Sequence, residues 1–213
     1  MHRNLSPKIV FFIVILGLIS IFSCTQKSKP KAYYLSSGPI QGTMYNVTYQ
    51  WDSDISEEID SILQLFNKSL SNYDKESTIS KINRNETDII DDLFEEMVLE
   101  SKKVFDNTNG MFDITIAPIA NLWSFGWEKS NVDSVSDEKI NAALQNVGLG
   151  KVKIIDNKIL KDNPEITFIS NAIAQGQSVD YLSRYLLNLG LENFLVEIGG
   201  EIEANKFINT GTN

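Results

Sequence analysis

The chain has 213 residues, 42% of them hydrophobic, with 28 acidic against 19 basic side chains and a formal charge of −9. So acidic a protein is unsuited to electrostatic binding of nucleic acid, and its length suits one sizeable domain or two small ones. One cysteine and one histidine exclude a disulfide framework within the chain and any histidine-based metal site or triad that needs more than one imidazole.

In chain order, the first feature is a leader. Arg3 and Lys8 precede an apolar run at residues 9–22 (IVFFIVILGLISIF), which is shorter than a membrane-spanning helix needs and has the length of a signal h-region. It ends Ile21-Phe22-Ser23-Cys24, a small residue before the only cysteine, as in a lipoprotein signal whose cysteine becomes the lipidated first residue. The plainer reading is an uncleaved anchor with an incidental cysteine. On either reading the remainder is expected in the cell envelope, held at a lipid membrane and facing the periplasm or the outside. Acyl chains on Cys24 would contribute about 0.8 kcal/mol per buried CH₂. Cleavage removes His2 and two basic residues, leaving a more acidic chain in which any general base must be a carboxylate, lysine or tyrosine. The expected organisation is a signal peptide at 1–23, a lipidated tether at 24–37, a folded domain at 38–204 and a polar tail at 205–213.

Residues 43–51 alternate, with Tyr45, Val47, Tyr49 and Trp51 on one face, and predict a half-buried strand. The period then changes. Ile55, Ile59, Ile62, Leu63, Phe66 and Leu70 fall at helical spacing, with Asp54 or Ser56 able to cap. Short and long helices follow at 78–83 and 91–106, the second with Leu93, Phe94, Met97, Val98, Ser101, Val104 and Phe105 inward and Gly110 beyond its end. A helix at 137–147 lies between Ser136 and Gly148. Residues 151–156 and 158–161 read as a hairpin about Asn157, 166–170 as a strand, 172–189 as a helix closed by Gly190, and 193–198 as a buried strand entering a Gly-Gly turn. This irregular interleaving predicts an α+β fold with a mixed or antiparallel sheet and packed helices.

Four stretches depart from generic core. GPIQGTMYNV (38–47) opens a strand through Gly42-Thr43, which alone is an ordinary turn. LSNYDKESTISKIN (70–83) sets Tyr73 between two helices, either as a surface aromatic or as a platform for a flat ring. NGMFDITIAPIANLWSFGW (109–127) holds Asp113 in an apolar run, where a carboxylate needs partners or serves as a local cap. ISNAIAQGQSVDYLSRYL (169–186) passes into a helix through small residues, and a helix N-terminus suits a phosphate.

Together, in order and spacing, these stretches resemble the FAD:protein FMN transferases, the ApbE family. The carrying motifs are the GT-x-Y turn, S-x-Y-x-x-x-S-x-I-S-x-I-N, FDIT-x-x-P-x-x-N-L-W-x-FG, AIA-x-G-x-x-VD and VEIGGE, spanning about residues 38–204. The resemblance implies an enzyme dependent on Mg²⁺ that splits FAD, transfers FMN to a threonine of a partner protein, and releases AMP. The partner implied is a subunit of a membrane redox complex. Carried over by position, Gln41, Tyr73, Met111, Phe112, Asp113 and Gln175 would line the FAD site, and Ala172 would offer its carbonyl to Mg²⁺.

Two positions depart from the pattern: Ile169 stands where an aspartate toward FAD is usual, and Gln177 where an aromatic is usual. The resemblance further implies a part after VEIGGE that carries an aspartate and a threonine for Mg²⁺ and a histidine near the site. Residues 205–213 match none of it. A shortened reading frame is therefore expected, with an unpaired sheet edge, poor stability and no transfer at a normal rate. The catalytic residue is left unassigned. The alternative expectation is a non-catalytic lipoprotein that binds flavin or a partner.

Overall fold

The computed structural model describes residues 31–206 except 129, 131, 133 and 134. The leader, Cys24, half of the tether and residues 207–213 lie outside the described residues. Among the described residues no helix is long and apolar enough to cross a membrane.

The first strand, β1 (Ala32–Ile40), pairs antiparallel with β2 (Thr43–Trp51) from Ala32↔Trp51 to Ile40↔Thr43. Residues 32–37 are therefore sheet rather than tether. Serines, Gly38 and Pro39 interrupt the alternation of β1, which is why its sequence reads as linker, yet Tyr34 stacks on Tyr49 at 5.5 Å and Ser36 is buried. On β2 the expected face is the inner one: Tyr45, Val47 and Tyr49 are buried.

Among the described residues the helices that follow are α1 (Ser56–Leu70), α2 (Thr78–Asn83), α3 (Asp92–Asn107), α4 (Ala117–Leu122) and α5 (Asp137–Leu144). A 3₁₀ turn (Leu149–Lys151) leads to the hairpin β3 (Val152–Ile155) and β4 (Lys158–Lys161), whose turn residues Asp156 and Asn157 both have positive φ. Helix α6 (Ala174–Asn188) precedes β5 (Phe194–Ile198) and β6 (Glu201–Asn205). The larger sheet has the order β1-β2-β5-β6, antiparallel throughout, so the α+β expectation holds in its antiparallel form. Asn205, placed in the tail by its sequence, pairs with Phe194 as the last residue of β6.

Two cores meet at α1. Ile59 and Leu63 pack with Val179, Leu182 and Leu186 of α6 against the inner face of the sheet. One turn later Phe66 and Leu70 belong to the other core, with Ile79, Phe94, Met97, Ile114 and Phe168. The C-terminal turn of α1 thus lies where the two cores join. Val104, expected inward on α3, is instead exposed, because the helix buries the narrower stripe Phe94, Met97, Val98 and Ser101.

Residues 166–170 are not a strand. The run is extended and its side chains Ile166, Phe168 and Ile169 are buried, but only the N–H of Ile169 finds a backbone partner across the chain, Ile114 O at 2.8 Å. Side-chain amides stand in for a neighbouring strand. Asn83 accepts from Phe168 N at 2.7 Å and donates to Phe168 O at 2.9 Å, as one residue of a ladder would. Such substitution is how a buried segment without a sheet partner satisfies its backbone.

At the start of α1 the Asp54 carboxylate accepts from Ser56 Oγ (2.7 Å), Tyr49 Oη (2.7 Å) and Ser56 N (2.9 Å). The Ser56 hydroxyl first, then Tyr49 and the Ser56 amide, hold its pKa below the ordinary aspartate value. A carboxyl depressed in the folded state stabilises it above the unfolded value, and that contribution is lost as pH falls through the folded value. Stability is expected to fall below about pH 4, and Asp54→Asn to flatten part of that loss in thermal melts across acid pH. Glu86 and Asp88, lowered by Arg84 and Lys158 respectively, account for more of it.

Candidate functional site

A cavity of about 840 Å³ opens where α1 ends. Its walls are the β1–β2 turn, the last turn of α1, the loop 70–74, Ser170 and Asn171, and the first turn of α6. Gln41, Tyr73 and Gln175, far apart in sequence, are brought together on this lining.

Gln41 occupies the two-residue turn between the strands, with φ +49°, and Gly42 follows with φ +75°. This is the left-handed pair that a tight hairpin favours. The turn aims the Gln41 amide at α6: its Nε2 donates to Ser178 Oγ at 3.0 Å, and Ser178 donates onward to Ala174 O at 2.6 Å. Gln175 lies against the Gly-Gly turn after β5. A Cβ on Gly199 would come within 2.7 Å of Gln175 Nε2 and push that amide aside, and Gly199 has φ +61°, where glycine is favoured.

Loop 70–74 is tied down from below. Ser71 Oγ accepts from the amides of Tyr73 and Asp74, while Ser71 O accepts from the hydroxyls of Ser77 and Ser80. Asn72 is buried; it donates to Phe168 O at 2.9 Å and accepts from Ser170 N at 3.0 Å. Ser170 in turn donates to Leu70 O at 2.7 Å. Ser71, Asn72, Ser77, Ser80 and Asn83 of the S-x-Y-x-x-x-S-x-I-S-x-I-N stretch thus hold the loop or the 168–170 segment, whereas Thr78 donates to Asp91 and Lys81 pairs with Glu76. The Tyr73 side chain takes no part in that work and stands 68% exposed at the cavity.

Met111, Phe112 and Asp113 are not on this lining. Met111 is 89% exposed, and Phe112 packs at the edge of the α3 core. Asp113 is half-buried, and its carboxylate is occupied: Oδ1 accepts from Thr115 N (2.8 Å) and Thr115 Oγ1 (2.6 Å), and Oδ2 from Leu149 N (3.0 Å). Thr115 Oγ1 also accepts from Gly148 N at 2.7 Å. Here the carboxylate serves as a brace between the start of α4 and the turn before β3. Asp113→Ala, which orphans the Leu149 amide, is expected to lower stability by about 2 kcal/mol in urea melts.

Ala172 lies on a neighbouring groove of about 450 Å³, with Glu96, Glu100, Asp180 and Glu201. Arg184 also lines it and pairs with Glu96 at 2.7 Å. Four carboxylates suit a hard cation in type. Their placement does not: among the described residues no three acidic, cysteine or histidine side chains are grouped to hold a metal ion. Of the Mg²⁺ ligands that the resemblance implies, the described residues include Ala172, the aspartate and threonine being implied after VEIGGE. Of the two departures, Ile169 is buried in the core beside Ser170, and Gln177 is buried with its Nε2 donating to Leu93 O at 3.0 Å, joining α6 to α3.

Asn72, Ser170 and Lys68 are site residues that sequence reading did not single out. For Asn72 and Ser170 the signal would have been their chemistry inside apolar runs, because a buried amide or hydroxyl must bond to something. Lys68 carries no such mark.

The model of the ApbE family matches residues 41–210. A FAD:protein FMN transferase of Vibrio cholerae is 33% identical over 201 residues, covering 90% of this chain and 59% of the relative. That of Haemophilus influenzae is 32% identical over 207 residues with the same coverages, 90% and 59%. Among solved structures, the flavin transferase ApbE of Vibrio cholerae superposes with a TM-score of 0.79 at 34% identity, over 85% of this chain and 62% of that one. The apo flavinyl transferase ApbE of Pseudomonas stutzeri gives 0.75 at 29% identity, over 83% and 62%. The chain spans about 59% of the length of these curated relatives.

Proposed function

The chain belongs to the ApbE family, and on that premise we propose that it acts as a FAD:protein FMN transferase, with FAD bound at the cavity lined by Gln41, Tyr73 and Gln175. The observation that carries this reading is the convergence of those three residues, drawn from three separate motifs, on one cavity of ligand-binding size. Tyr73 offers a ring face for stacking, and the two glutamines offer amide edges to a polar ring system.

In the proposed reaction a threonine hydroxyl of the acceptor attacks the phosphorus on the FMN side of the pyrophosphate. The bond to the other phosphate breaks, AMP leaves, and the hydroxyl proton passes to a base. The described residues hold no histidine, so that base, if among them, is a carboxylate, lysine or tyrosine. Mg²⁺ belongs to the proposal as the neutraliser of pyrophosphate charge, with the Ala172 carbonyl as one donor toward it. The described residues do not complete its ligand set. The proposed acceptor is a subunit of a membrane redox complex, and the proposed location is the cell envelope, anchored to the lipid membrane through Cys24. The leader and the Ser23-Cys24 junction support that location.

A second reading, flavin binding without transfer, is favoured by Ile169, whose apolar side chain cannot make the hydrogen bond expected of an aspartate there. One experiment separates the two. Purified protein is incubated with FAD, Mg²⁺ and an acceptor peptide bearing a threonine, and AMP and the peptide mass are followed. Transfer yields AMP and a peptide heavier by FMN in equal amounts. Bound FAD with neither product would establish the second reading, and no FAD binding by folded protein would refute both.

A further inference from the structure

The cavity is poor in charge for a site that takes a nucleotide. Among the described residues, Lys68 and Asp74 are the charged ones on its lining. The Asp74 carboxylate already accepts from Glu76 N at 2.9 Å. Lys68, in the last turn of α1, is exposed, and among the described residues it makes no ion pair. Its position also favours the helix dipole, which would account for a lysine there without any ligand. That account leaves open how the phosphates of a bound nucleotide are countered in a chain of formal charge −9. A phosphate entering this site from a net-negative surface needs a local cation. In the neighbouring groove the cationic side chain, Arg184, is already held by Glu96.

We propose that Lys68 is the residue that meets the phosphate of the nucleotide in this cavity, and that flavin-nucleotide binding, as distinct from transfer, does not require a divalent cation. The proposal rests on the flavin reading of the cavity. It assigns separate tasks to its lining: Tyr73 and the glutamines take the rings, and Lys68 takes the charge. A lysine ammonium acts on phosphate as a point charge with three donors, so its effect depends on the phosphate and on ionic strength but not on the ring.

The test is a set of titrations of the purified full chain with riboflavin, FMN and FAD, followed by flavin fluorescence, in EDTA and in Mg²⁺, at low and high salt. In EDTA, FMN and FAD are expected to bind more tightly than riboflavin, with the gap narrowing at high salt. Lys68→Gln is expected to weaken FMN and FAD by about fivefold to tenfold and to leave riboflavin unchanged. Lys68→Arg, which keeps the charge, should restore most of the loss. Unchanged FMN and FAD affinities in Lys68→Gln would overturn the proposal while leaving the flavin reading intact. Binding of FAD by wild type only in Mg²⁺ would overturn its second half. If none of the three flavins binds to folded wild type, the flavin reading falls and the proposal with it. An equal loss for riboflavin in Lys68→Gln would mark a structural role and would also overturn it.

Discussion

Tyr73→Ala is expected to weaken FAD binding by roughly thirtyfold while leaving stability within about 0.5 kcal/mol of wild type. The first number follows from stacking. An aromatic face under a flat heterocycle contributes about 1–3 kcal/mol by alanine substitution, and about 2 kcal/mol corresponds to roughly thirtyfold in Kd. The second follows from position. Tyr73 is 68% exposed and its side chain makes no hydrogen bond among the described residues, so truncation opens no core cavity. Its backbone, held by Ser71 Oγ, is untouched by the change. Tyr73→Phe keeps the ring and should bind FAD almost as wild type does. Fluorescence titration and a thermal melt on each variant check the pair. A Tyr73→Ala protein that binds FAD normally would remove the ring platform from the site.

Asn72→Ala is expected to do the reverse, lowering stability by about 3 kcal/mol and, through the loop, FAD affinity as well. The side chain is 8% exposed and spans loop 70–74 and the 168–170 segment. Its loss orphans the Ser170 amide and removes one of two donors to Phe168 O. A buried unsatisfied amide costs about 1–3 kcal/mol, and the vacated volume adds to it. For a folded unit of this size that corresponds to a fall in Tm of about 6–12 °C. Asn72→Asp is a sharper control. It keeps an acceptor for Ser170 N but sets an oxygen against Phe168 O, so it should be no more stable than the alanine variant. Normal stability in both would mean that the loop is held by Ser71, Ser77 and Ser80 alone.

Elements with a clean period were legible in the sequence, and those held by side chains were not. The alternation of β2 and the helical stripes of α1 and α3 place most of the core, because burial on one face leaves a repeat of 2 or 3.6. β1 escaped because Ser36 and Gly38 occupy its inward positions, where Tyr45 rather than bulk on the strand fills the space. The run at 166–170 looked like a strand for the opposite reason: Ile166, Phe168 and Ile169 are apolar and buried, yet the backbone from Phe168 to Ser170 is satisfied by Asn72, Asn83 and Ile114. Those partners lie up to 98 residues away, beyond any local pattern. For the site, the motifs delivered Gln41, Tyr73 and Gln175 to one cavity. They say nothing of what Asp113 touches, since a carboxylate in an apolar run reads the same whether it braces Thr115 and Leu149 or faces a ligand. Lys68 was invisible for a simpler reason: a lysine near a helix C-terminus is common and needs no ligand to explain it.

The location of the flavin is tested most directly by amide hydrogen exchange on the purified protein with and without saturating FAD, read segment by segment. Slower exchange at 70–74 and at 170–176, on the two sides of the cavity, is the expected result. Protection confined to 111–116 and 147–150, or none anywhere despite bound FAD, would contradict the placement of the flavin at Gln41, Tyr73 and Gln175.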